Sequence, residues 1–111
     1  MSHPLQATID DLWERRTELS TQSTDAIKII ESVIGDLDSG KVRVAEKING
    51  EWVVNQWAKK AVLLSFRTRD NRVQEAGDVR FYDKVDTKFQ GWTEEQFKAG
   101  GFRVVPGAFA R

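Results

Sequence analysis

The side chain best placed to recognise a charged ligand is Arg103, which stands in the middle of "GFRVVP", residues 101–106. Gly100 and Gly101 end what reads as a helix, and Phe102, Val104 and Val105 then read as a buried extended run closed by Pro106. Alternation along that run sets Phe102 and Val104 on one face and Arg103 with Val105 on the other. Two readings follow from the residues alone. One is an edge-strand arginine that keeps its head in water while its stem covers apolar surface. The other is a fork aimed at a carboxylate, which a planar guanidinium grips with two parallel charge-assisted hydrogen bonds.

Little else in the chain is equipped for chemistry. There is no Cys, so neither a disulfide framework nor a thiolate metal site can form. His3, the single histidine, lies in a terminal segment expected to fray and is not predicted to ligate anything. Most nucleophile–base pairs and zinc sites need residues that this chain lacks. No glycine-rich phosphate loop occurs, since "GGF" is followed by neither GK nor a helix. The carboxylate pairs Asp10/Asp11, Asp36/Asp38 and Glu94/Glu95 fall at helix starts, helix ends and exposed faces. Asp10/Asp11 with Glu14 lack the loop of alternating oxygen ligands that a hard cation requires. The residues therefore predict no catalytic group, no cofactor site and no metal site within the chain.

Composition narrows the class further. One domain suits 111 residues, and 40% hydrophobic with 31% charged residues is an ordinary globular balance. Net charge is zero, yet residues 1–40 carry −5 and residues 41–72 carry +5. Such asymmetry suits either an anionic partner or weak pairing between neighbouring helices, the second being the more economical account. Nucleic acid is not expected, because the bases are dispersed over a hairpin and an apolar helix without an Arg/Lys cluster. "MSHPLQATIDD" has neither the basic start nor the apolar centre of a leader, and no apolar run nears the roughly 18 residues of a membrane span. A cytoplasmic location without membrane contact is the expectation.

The elements that must position Arg103 are legible from periodicity. Leu5, Ile9, Leu12, Trp13 and Arg16, extended by Leu19, predict an amphipathic helix over 5–18. "STQST" interrupts it, and Ser23 or Thr24 is placed to cap a second helix with the stripe Ile27, Ile30, Val33, Ile34 and Leu37. Gly40 suits its left-handed end. "RVAEKI" and "EWVV" flank Asn49-Gly50, the strongest short-range hairpin signal. "NQWAKKAVLLSFR" returns to helix, apolar on most sides through Trp57, Ala58, Ala61, Val62, Leu63 and Leu64. Lys60 and Arg67 share its wet face. "TRDNR" reads as a turn, and residues 73–91 lack sustained periodicity. Phe81, Tyr82, Phe89 and Trp92 there read as plugs inserted into the core from an ordered loop. Thr93 with Gln96 makes a capping box for a short helix ending at Gly100. The predicted class is α+β and mostly helical, with about four helices and one β-hairpin (43–48/51–54).

The stretch "LDSGKVRVAEKINGEWVVNQWAKKAVLLSFR", with "FYDKV", "KF" and "GFRVVP", resembles the N-terminal part of the tetrahydrodipicolinate N-succinyltransferase family. These are hexapeptide-repeat acyltransferases of bacterial diaminopimelate and lysine biosynthesis. The resemblance extends from "LWERR" to "VVPGAFAR". It implies that residues 1–101 are a helical N-terminal domain and that 102–111 begin the connection to a left-handed parallel β-helix. It further implies homotrimers formed through that β-helix, with succinyl-CoA and a cyclic dicarboxylate meeting between subunits. Arg103 falls in the family's substrate-binding motif, where it would hold a carboxylate of the substrate. The hexapeptide repeats, the family's β-helix carboxylates and its coenzyme site have no counterpart here. The sequence thus reads as the substrate-side part of a longer succinyl-CoA-dependent enzyme, inactive alone. The alternative is a free-standing helical interaction module without catalysis.

Overall fold

The computed structural model describes residues 3–111, so the first two residues of the stretch read for a leader lie outside it. The chain forms two compact units, one ending at Asp70 and the other spanning Asn71–Arg111.

The first unit holds α1 (Gln6–Glu14), a single 3-10 turn (Arg16–Glu18), α2 (Thr24–Ser39), the strands β1 (Ala45–Ile48) and β2 (Glu51–Val54), and α3 (Gln56–Arg67). Its core is built where the three helical stripes converge, with Ile9, Ile30, Val33, Ala58, Ala61 and Leu64 fully enclosed. α3 packs against both α1 and α2. Alanines at 58 and 61 present almost no side chain on that face, which lets the neighbouring helix stripes seat against the α3 backbone. Trp57 is buried beside them, while Leu63 and Phe66 emerge on the outer side. The apolar excess of this helix is explained chiefly by its central position.

The second unit is smaller. It holds the antiparallel pair β3 (Arg72–Ala76) and β4 (Val79–Asp83), followed by α4 (Glu94–Gly100). Among the described residues the architecture is therefore four α-helices with two small antiparallel sheets.

Several expectations are met locally. Asn49 (φ 51°) and Gly50 (φ 82°) take the paired positive φ that a type I′ turn needs, and Ala45–Ile48 pairs with Glu51–Val54. Gly40 ends α2 in the left-handed conformation. Other expectations are corrected. The first helix does not run through 18: it stops at Glu14, and Arg16 instead donates to the Trp13 carbonyl at 2.8 Å and stacks over the Trp13 ring. Ser23 stands at the N-cap of α2, but its hydroxyl serves the Ser20 N–H at 3.0 Å rather than the helix. The first strand begins at Ala45, not 43, because the Asn55 side-chain amide takes the Arg43 carbonyl at 2.7 Å, replacing a ladder partner.

The largest correction concerns residues 73–91. They begin with most of a second hairpin, which turns at Gly77-Asp78 with positive φ only at the glycine, the position where a two-residue turn of type II′ wants it. Phe81, Tyr82, Phe89 and Trp92 are not among the buried core residues. Phe81 meets Phe109 edge to face at 5.5 Å, Tyr82 is exposed, and Phe89 and Trp92 join a separate aromatic cluster.

Candidate functional site

Arg103 is reached through α4. Thr93 opens that helix with the predicted reciprocal cap: its hydroxyl accepts the Gln96 N–H at 3.3 Å, and the Gln96 side-chain oxygen accepts the Thr93 N–H at 2.8 Å. Two acids in the first turn and Lys98 in the last complement the helix dipole. Gly101 closes the helix at φ 73°, donating to the carbonyls of Phe97 and Lys98. The next residue, Phe102, lays its ring within 5.3 Å of Phe89, 6.0 Å of Trp92 and 6.2 Å of Phe97. A further turn brings the Ala108 N–H to the Val105 carbonyl at 3.0 Å. Arg103 thus sits between an aromatic anchor and a turn.

The residues 102–105 form no strand, and Phe102, Val104 and Val105 are exposed rather than buried. The expected buried run is corrected on both counts. The left-handed exit at Gly101 and the ring cluster hold Phe102, and among the described residues the strands pair only as β1 with β2 and β3 with β4.

The Arg103 side chain is exposed, and among the described residues it makes no ion pair or hydrogen bond. Arg15, Arg69, Arg72, Arg80 and Arg111 each face a carboxylate of the chain. An uncommitted fork in a partly anchored segment can hold an external carboxylate. It offers no group that moves a proton or attacks a bond.

The other sequence candidates are absorbed by structure. Asp10 receives Lys60 at 3.2 Å, so Lys60 is half-buried in an ion pair rather than sharing a wet face with Arg67. Asp11 pairs with Arg15 one turn on, and Glu94 with Lys98. Among the described residues, no three histidine or acidic side chains gather where a metal ion could be held. A shallow groove over the second hairpin is lined by Arg72, Gln74, Arg80 and Gln90, but both guanidiniums are committed to Asp86 and Glu75.

Three features escaped the sequence reading. His3 is docked, not frayed: its ring stacks on Trp57 at 4.9 Å, and Nδ1 accepts the Leu5 N–H at 3.1 Å. With Nδ1 accepting, Nε2 carries the ring proton and donates to Asp36 at 3.3 Å. Arg69 reaches back to Glu31 with two bonds of 3.0 and 2.5 Å, fixing the exit of α3 on α2. The segment 108–111 returns to β4 through Phe109, which meets Phe81, and Arg111, which binds Asp83, and to the stretch after β4 through the Ala110 carbonyl, which accepts from the Lys88 N–H at 2.8 Å. Desolvation pushes the Asp83 carboxyl up, but the N–H groups of Lys84 and Val85 and the Arg111 guanidinium outweigh it, leaving it below the ordinary carboxylate range. The Gly77-Asp78 pair was the one sequence signal that could have revealed this second hairpin.

A capped helix and an aromatic cluster thus lead into the exposed Arg103 segment. Residues 4–68 match the family described as tetrahydrodipicolinate N-succinyltransferase N-terminal, and the chain belongs to that family. It is 78% identical over 112 residues to the 2,3,4,5-tetrahydropyridine-2,6-dicarboxylate N-succinyltransferase of Dechloromonas aromatica, covering 100% of this chain and 41% of that protein. Proteins of the same name from Chromobacterium violaceum and Psychrobacter cryohalolentis are 57% and 61% identical, over 98% and 96% of this chain and 41% and 40% of theirs. The chain spans about two fifths of the length of these curated relatives. Arg103 lies beyond the family match, within the longer alignment that covers this whole chain.

Proposed function

We propose that this chain is the N-terminal, substrate-side part of a succinyl-CoA-dependent N-succinyltransferase. The reaction moves a succinyl group from succinyl-CoA to the amino group derived from tetrahydrodipicolinate, in diaminopimelate and lysine biosynthesis. Arg103 binds one carboxylate of that dicarboxylate substrate. Residues 1–101 serve as the N-terminal domain, and 102–111 lead towards a left-handed β-helix that supplies the coenzyme site and the homotrimer contacts. The enzyme works in the cytoplasm. On this reading the succinyl-CoA site lies on that β-helix rather than in these 111 residues.

The observation that carries this reading is the 78% identity to the N-terminal part of a relative bearing that name. The structure lends support in that, among the described residues, the motif arginine makes no ion pair or hydrogen bond. The test is to join this chain to the remaining three fifths of the Dechloromonas aromatica relative. Thiol release from succinyl-CoA should then depend on added tetrahydrodipicolinate or an analogue, while the 111 residues alone release none. A folded joined protein without turnover, where the intact relative is active under the same conditions, would refute the assignment.

A further inference from the structure

The Arg103 segment is exposed and forms no strand, yet a ligand-gripping guanidinium needs a fixed starting point. The chain supplies one immediately before it. A Cβ placed on Gly100 would lie 2.5 Å from Cε1, 3.0 Å from Cδ1 and 3.3 Å from Cζ of the Phe102 ring. Gly100 is helical, so its backbone does not call for glycine; only the ring does. Gly101 then turns the chain through φ 73°, with open space around it, and sends Phe102 back over the last turn of α4. There the ring meets Phe89, Trp92 and Phe97, three rings that also contact one another between 4.8 and 5.5 Å. Moving the ring away from Gly100 would disturb its contacts with those three rings.

We propose that Gly100, Gly101 and Phe102 form a positioning knuckle for Arg103. Phe102 is the peg, the aromatic cluster and the bare Gly100 backbone form its slot, and the arginine one residue later inherits its placement. This rests on the reading of Arg103 as the carboxylate anchor. Gly100 and Phe102 are positioning residues and touch no substrate.

The experiment uses the joined enzyme described above, with the chain complete. Gly100→Ala should lower kcat/KM for the dicarboxylate by about 10- to 100-fold, the scale of a misplacement near 1 Å. The KM for succinyl-CoA should not move. Phe102→Ala should behave likewise, and Phe102→Tyr, which keeps the ring, should remain near normal. In the Phe102→Ala background the slot is empty, so adding Gly100→Ala should cost nothing further. The melting temperature should even change sign: Gly100→Ala lowers it with the ring present and raises it without, because alanine favours helix over glycine.

Arg103→Ala separates the two layers of the argument. If it lowers dicarboxylate kcat/KM but Gly100→Ala does not, the knuckle is wrong and the anchor stands. If Arg103→Ala is kinetically normal, the anchor and the knuckle fall together. Equal losses for both substrates, or additive effects of Gly100→Ala and Phe102→Ala, would reduce the pair to ordinary structural residues and overturn the proposal.

Discussion

Replacing Arg103 by alanine probes the proposed function most directly, because the structure separates its effect on binding from its effect on folding. The side chain is exposed and meets no carboxylate of the described chain, so its removal breaks no internal interaction. Substitutions at such positions change stability by within about 0.5 kcal/mol. For a small domain that is a melting shift of about 2–4 °C at most. Binding is another matter. Truncating one partner of a hydrogen-bonded charge pair that is buried in the complex costs about 2–5 kcal/mol. At about 1.4 kcal/mol per decade, kcat/KM for the dicarboxylate should fall between thirtyfold and several thousandfold. A guanidinium that stays as open to water as it is here belongs at the thirtyfold end, since solvent screens the pair. Arg103→Lys should restore only part of the loss, because an ammonium keeps the charge without the planar fork. The assay is steady-state thiol release with each substrate varied in turn, accompanied by thermal melts. A folded Arg103→Ala enzyme with unchanged dicarboxylate kcat/KM would refute the reasoning, and so would equal losses for both substrates.

The remaining predictions concern the two units. Leu64 is fully enclosed between α3 and its neighbours, so Leu64→Ala should cost about 2–5 kcal/mol in urea unfolding, whereas Leu63→Ala on the outer side should cost far less. His3→Ala removes the stack on Trp57 and two hydrogen bonds, and should lower stability by about 1–2 kcal/mol; an unchanged midpoint would show that the N-terminal segment is not docked. The Asp83 carboxyl is held low in the folded chain, so its contribution is present above the unfolded carboxylate value, near 3.9, and is lost as pH falls through the lower folded one. Phe81–Phe109 proximity, followed by proton NMR, should therefore persist from pH 7 to 5 and weaken only in stronger acid, and Asp83→Asn should abolish that dependence.

What could be read in the sequence was what short-range physics encodes. Stripes such as Ile30–Val33 and Ala61–Leu64, the Asn49-Gly50 turn and the Thr93/Gln96 box depend on residues within one or two turns of one another. The second hairpin was missed for a physical reason. Its strands are five residues long, Val73 and Tyr82 face water, and Glu75 opposite Arg80 replaces the expected apolar pair. Without a buried face the period-two signal is faint, and the aromatic residues nearby invited a core reading. Phe102 shows the converse error: alternation over the four residues 102–105, between two glycines and a proline, is too short to distinguish burial from exposure. His3 finds Asp36 across 33 residues, a pairing that no local pattern announces. For Arg103, local sequence left the edge-strand and carboxylate readings open. The structure removes the strand, and the carboxylate role comes from the family resemblance.

The opposed charges of residues 1–40 and 41–72 show how the first unit is put together. Lys60 on α3 meets Asp10 on α1, and Arg69 just beyond α3 grips Glu31 on α2 with both ends of its fork. Hydrophobic burial of Ile9, Ile30 and Leu64 holds the three helices together but is nearly indifferent to small rotations of α3 about its own axis. The Lys60 pair on α3 and the Arg69 pair just past its end are not indifferent, because each needs its residue turned towards a particular neighbour. Individually they are worth little, about 0.2–1 kcal/mol where exposed and more for the bidentate pair. Their effect is selection among packings of similar burial rather than bulk stability. Two of the eight basic side chains of residues 41–72, Lys60 and Arg69, are matched in this way to acids of residues 1–40. Under the proposed function, recognition of a free carboxylate falls to Arg103, an exposed guanidinium that makes no ion pair or hydrogen bond among the described residues.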